Sequence, residues 1–131
     1  MRKVLMAGLV AIALAPAAAS AGAQKLDGAD IRNVVSGKVV YIKAPFGLEV
    51  PMAFRANGTM RGDARGAIAQ LGLGAHKEKD TGRWWISRNR LCQKWRNWEN
   101  GRSFCFTLRK RGGVVYWRRN DGQSGTARIG S

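Results

Sequence analysis

The chain is poor in the residues that do chemistry. Among 131 residues there is one histidine, His76, and there are two cysteines, Cys92 and Cys105. One histidine and two cysteines that pair with each other cannot furnish a zinc site, and paired cysteines leave no thiol nucleophile. Acids are scarce too. The eight are Asp27, Asp30, Glu49, Asp63, Glu78, Asp80, Glu99 and Asp121. Local spacing places no two of them as the paired carboxylates of a glycosidase. Gly72-x-Gly74 lacks the strand–helix context of a nucleotide-binding loop. No cofactor is expected. The one acid–base pair on offer is His76 with Glu78, in a mixed-charge loop, and the plainer reading of His76 is an exposed loop histidine.

Long apolar runs are confined to the N-terminus. Arg2-Lys3 precedes an apolar stretch, Val4 to Ala15, and then the small residues Pro16 to Ala23. This is the layout of a secretory signal peptide, with cleavage after Ala21 or Ala23. A membrane anchor fits less well, because the stretch is short for a bilayer and ends in a cleavage pattern, so an integral membrane protein is not expected. Residues 1–23 are therefore read as signal peptide and 24–131 as one domain, periplasmic or secreted. Two cysteines in an exported chain most often pair.

Cationic residues, in contrast, are abundant. Lys and Arg number 23, for a net charge of +15. Loss of Arg2 and Lys3 with the signal lowers +15 by two, to +13. Between residues 83 and 119 the only acid is Glu99. A field of one sign concentrates polyanions and steers them in a salt-dependent way, although such charge also serves plain solubility.

Alternation and turn residues predict strands. Leu26–Val35 reads as a short helix capped by Asp27 and stopped at Gly37. Lys38–Lys43 is β-branched and aromatic. Leu48–Ala56 contains Pro51, which suits an edge or a bulge. Asn57-Gly58 is a hairpin signal, with Thr59–Asp63 returning. Residues 64–74 read as a frayed helical turn or a mobile loop, and 76–80 as a mixed-charge exposed stretch. A meander follows: Arg83–Ser87, Arg90–Trp95, Arg102–Leu108, Gly113–Arg119 and Ser124–Ile129. Turns at Arg88-Asn89 and Asn97–Gly101 set Cys92 opposite Cys105, Trp85 opposite Cys92 and Leu91 opposite Phe106. A turn centred near Arg111-Gly112 sets Trp117 opposite Phe106. One face then collects Trp84, Ile86, Leu91, Phe104, Phe106, Leu108, Val115 and Trp117 as a core. The other collects Trp85, Cys92, Cys105, Thr107, Val114 and Tyr116, and is expected to lie under the helix. The fold class is all-β, a small antiparallel meander or barrel-like sheet with one short N-terminal helix.

The segments Gly82-Arg83-Trp84-Trp85-Ile86, Arg90-Leu91-Cys92-Gln93, Gly101 to Phe106 and Asn120 to Ile129, with the Asn57 to Gly62 hairpin, carry a resemblance. The chain resembles small exported alphaproteobacterial proteins with a Leu-Cys–hairpin–Cys core, over roughly residues 27–129. That family has no agreed function, so the resemblance implies a fold and a compartment rather than a mechanism.

The expected function is non-enzymatic binding of an anionic envelope component or polymer: lipopolysaccharide, anionic lipid or nucleic acid. Arg88, Arg90, Arg96, Arg109, Arg111, Arg118 and Arg119 supply the charge. Trp98, at a hairpin tip with nothing local to bury it, serves as a stacking or partner contact. The alternatives are an envelope protein–protein interaction factor and, further off, a hydrolase built on His76 and Glu78. An aromatic-lined barrel also offers room for an apolar ligand, with Gln93 as a polar handle or a satisfied core residue.

Overall fold

The computed structural model describes residues 22–71 and 78–130. The signal-peptide reading of residues 1–21, the glycine pair at 72 and 74, and His76 lie outside them.

Helix α1 (Gly28–Val35) begins where a capping box forms. The Asp27 side chain accepts from the Asp30 N–H at 2.8 Å, and Asp30 accepts from the Asp27 N–H at 3.2 Å. The two bonds satisfy donors that the first turn leaves without intrahelical partners. Gly37, at φ +75°, turns the chain into the sheet.

The strands are β1 (Gln24–Lys25), β2 (Lys38–Lys43), β3 (Glu49–Phe54), β4 (Thr59–Asp63), β5 (Lys79–Ser87), β6 (Arg90–Trp95), β7 (Ser103–Arg111), β8 (Val114–Arg119) and β9 (Ser124–Ile129). Every pairing is antiparallel. Strands β2 to β9 close into an eight-stranded barrel, because β9 pairs with β2 and β8 pairs with β7. Closure removes the unpaired edges that an open meander would leave. The two-residue β1 extends the β6 side of β7, with Lys25 opposite Arg109.

The expected cysteine register is present: Cys92 faces Cys105, and the two form a disulfide. Ile86 faces Leu91 and Trp84 faces Gln93. The Arg88-Asn89 turn has both residues at positive φ, 52° and 58°, as a two-residue hairpin of this twist demands. Pro51 faces Tyr41 on β2 but lies past the end of the β3–β4 ladder, at a local edge that tolerates a missing N–H.

Four expectations need correction. The β7–β8 turn is centred one residue later, on Gly112-Gly113, so Trp117 faces Leu108 and Arg119 faces Phe106. The slip is two residues in register, and an even slip leaves every side chain on its expected face. A second helix, α2 (Arg65–Leu71), occupies part of the stretch read as a frayed turn or loop. Strand β5 starts at Lys79 rather than Arg83, since Lys79 and Asp80 pair with Asp63 and Gly62 of β4. Finally, α1 does not cover the disulfide face. Its Ile31 and Val35 enter the inner core with Trp84 and Leu91, and Arg32 lies 5.5 Å from the Trp84 ring. The open end of a closed barrel exposes core side chains, and α1 plugs that end. The Gly28 N–H donates to Asn89 Oδ1 at 2.9 Å, which ties the plug to the β5–β6 turn.

Candidate functional site: a basic outer wall and an apolar interior

Alternation sends opposite halves of each strand outward and inward. Outward on β6 are Arg90, Cys92 and Lys94; on β7, Cys105, Thr107, Arg109 and Arg111; on β8, Val114, Tyr116 and Arg118. The register sets Thr107 opposite Arg118, Arg109 opposite Tyr116 and Arg111 opposite Val114, with Trp85 of β5 beside Cys92. This wall has no acid. Arg90, Thr107, Arg118 and Arg119 line one shallow recess of about 260 Å³ with Cys105, Asn120 and Gly122. The Arg90 Nε is buried there with no acceptor.

The seven arginines named from sequence thus divide. Arg90, Arg109, Arg111 and Arg118 share the wall. Arg88 sits in the β5–β6 turn at the α1 end. Arg96, just past β6, is exposed at the other end and lines a separate recess with Arg55, Arg61 and Lys79. Arg119 points inward over the Phe104 ring, 4.0 Å from its centroid, and pairs with both Asp121 and Glu99. Its charge is answered, so it adds little to an anion site. Trp85 and Tyr116 lie on the face that alternation assigns them, although the sequence pattern singled out Trp98 alone for stacking. Trp85 is 39% exposed.

The acids stay away from the wall. Asp63 pairs with Arg65, whose guanidinium holds the carboxyl down to about 2. Asp121 is held down to about 2 by Arg119. The hydrogen bond from Arg128 lowers Glu49. Among the described residues, Arg88, Arg90, Arg109 and Arg118 make no ion pair. The charge of these four is therefore free to act outward.

Asp80 was not singled out from the sequence. It is 6% exposed, and its carboxylate accepts from the backbone N–H of Trp98 at 2.7 Å, Asn97 at 2.8 Å and Thr81 at 2.9 Å, and from the Asn97 amide at 3.0 Å. Burial pushes its carboxyl up, but the donors from Trp98, Asn97 and Thr81 outweigh burial and hold it below the usual carboxylate range. The effect on the tip is direct. The short 3₁₀ turn Trp98–Gly101 folds back over the barrel mouth, and Trp98 packs on Trp95 with ring centroids 4.6 Å apart. Gly62 makes the space, since a Cβ there would stand 2.4 Å from the Trp98 ring. Trp98 is accordingly half-buried rather than projecting.

The interior holds a cavity of about 340 Å³. α1 bounds one end through Val35, and Trp98, Glu99 and Arg119 bound the other. Gln93 faces into it from β6 and is buried.

Among the described residues no group of His, Cys, Asp and Glu stands close enough to hold a metal, and no helix is long and apolar enough to cross a membrane. The Cys92–Cys105 bond fits an exported protein. Comparison of the chain with family models, with curated proteins and with solved structures returns no match.

Proposed function

We propose that the protein is an exported, non-enzymatic binding module for a phosphate-bearing polymer or surface, held by the outward wall of β6, β7 and β8. The resemblance to small exported alphaproteobacterial domains, and removal of a signal peptide after Ala21 or Ala23, belong to this reading. The observation that carries it is the acid-free wall. Arg90 and Arg118 share a recess, Arg109 and Arg111 continue along β7, and Trp85 and Tyr116 supply ring faces between the cations. Bidentate arginine contacts with phosphate and stacking on aromatic faces are the two terms that hold single-stranded nucleic acids and phosphorylated glycolipids alike.

Binding of a fluorescent oligothymidylate, with lipopolysaccharide as a second arm, tests the proposal by salt titration. If Arg90, Arg109, Arg111 and Arg118 each neutralise one phosphate, affinity for the single strand should fall about 50-fold between 50 and 200 mM salt. An affinity unmoved by salt would contradict it.

A protein partner is the second reading, and Phe46 favours it. This residue is 89% exposed, at φ +63° in the β2–β3 loop. Capture of a periplasmic protein that is lost in Phe46→Ser, with oligothymidylate binding intact, would support that alternative. The hydrolase reading gains no support, since His76 lies outside the described residues.

A further inference from the structure

We propose that the barrel interior is a second, independent site for a neutral apolar molecule bearing one hydrogen-bond acceptor. Three observations carry it. The first is size and lining. The cavity of about 340 Å³ is walled by side chains such as Trp95, Phe106, Leu108, Val115 and Ala127. An apolar cavity of about 150 Å³ takes benzene, so this one has room for a bicyclic ring or a medium-length alkyl chain.

The second is a donor without an acceptor. Trp117 lines the cavity, and its Nε1–H is buried with no partner. Trp84 shows the usual alternative, its Nε1 donating to the Arg55 carbonyl at 2.8 Å. A buried donor left unpaired is unfavourable, and an occupant with an acceptor oxygen would answer it. Gly125 makes room for the indole, since a Cβ there would stand 2.6 Å from the ring.

The third is the charge at the mouth. Arg119 faces two carboxylates, Glu99 and Asp121. Arg119, the one cation among the residues that line the cavity, is already answered by these carboxylates and holds nothing in reserve for a carboxylate or phosphate head. The interior ligand is therefore uncharged, unlike the polyanion proposed for the outer wall.

Displacement of N-phenyl-1-naphthylamine from the oxidised protein reads the site. We expect 1-octanol and naphthalene to displace the probe, and octanoate to need about tenfold more at pH 7. Trp117→Phe keeps the ring but removes the N–H. It should weaken 1-octanol about fivefold to tenfold and leave naphthalene unchanged. Ala127→Leu fills the cavity, and should remove probe uptake while the salt-dependent oligothymidylate binding persists. The proposal is overturned if the wild-type protein takes no probe, if octanoate matches 1-octanol, or if Ala127→Leu leaves uptake intact. Equal loss of 1-octanol and naphthalene in Trp117→Phe would overturn the role of the indole N–H.

Discussion

Asp80→Ala should destabilise the domain by about 3 kcal/mol, read as a shift of the urea midpoint at constant slope. The carboxylate is nearly buried and takes three backbone N–H groups and one amide. Hydrogen bonds to a charged acceptor are worth more than neutral ones, and alanine would strand the donors of Asn97 and Trp98. The loss would also be structural. The tip would no longer be drawn back, and Trp98 would leave Trp95, so a rise in tryptophan solvent exposure should accompany the destabilisation. The pH dependence has a definite sign. The carboxyl is lowered in the folded protein, so its contribution is present above the unfolded value of about 3.9 and is lost as pH falls through the folded value. The stability gap between wild type and Asp80→Asn should therefore be flat above about pH 5 and narrow on acidification. A gap that is unchanged or widens in acid would refute this account of the tip.

Removing the disulfide should have an effect of similar size. Cys92 and Cys105 are separated by 13 positions in sequence. Closing a loop of this length restricts the unfolded chain by about 3 kcal/mol in the chain-entropy treatment. For a domain of just over one hundred residues, whose total stability is of order 5–15 kcal/mol, that is a large share. The Cys92→Ser/Cys105→Ser variant should be less stable than the oxidised protein by about 3 kcal/mol or more, and somewhat less stable than the reduced wild type. Cys92 is wholly buried, so part of any loss would come from placing a hydroxyl beside Trp85. Cys92→Ala/Cys105→Ala separates the two causes, because it keeps the entropic loss and drops the polar one. Equal stability of the alanine variant and the oxidised protein would show that the bond contributes nothing.

Much of the barrel was legible because its signals are local. The Arg88-Asn89 turn and the Cys92–Cys105 hairpin each fix a register through residues only a few positions apart. Alternation then assigns Trp84, Leu91, Phe104, Leu108 and Val115 to the core, as observed. That assignment survived an incorrect centre for the β7–β8 turn because the error was even. What was hidden depends on distant partners. Nothing local to Lys79-Asp80 marks a strand. Its pairing with β4 and the grip of Asp80 on Asn97, 17 positions away, make it one. Closure through β2 and β9 joins Val40 to Ile129, a separation no short-range pattern reveals. For the site, the cationic positions were readable but their division was not. Arg118 and Arg119 are neighbours in sequence and line the same recess, yet Arg118 makes no ion pair while Arg119 is held by Glu99 and Asp121.

If the proposed wall of β6–β8 is the binding surface, location and not charge alone must set affinity. A charge-matched comparison separates the two. Arg90→Gln/Arg109→Gln/Arg118→Gln removes three cations from the wall, and Arg55→Gln/Arg61→Gln/Lys79→Gln removes three from the recess on the β3–β5 side. The wall variant should lose most of its affinity for oligothymidylate, with the salt slope reduced by about 2, while the other variant keeps a slope close to wild type. Equal losses in the two variants would show that the protein binds through its overall charge, and the wall would hold no site.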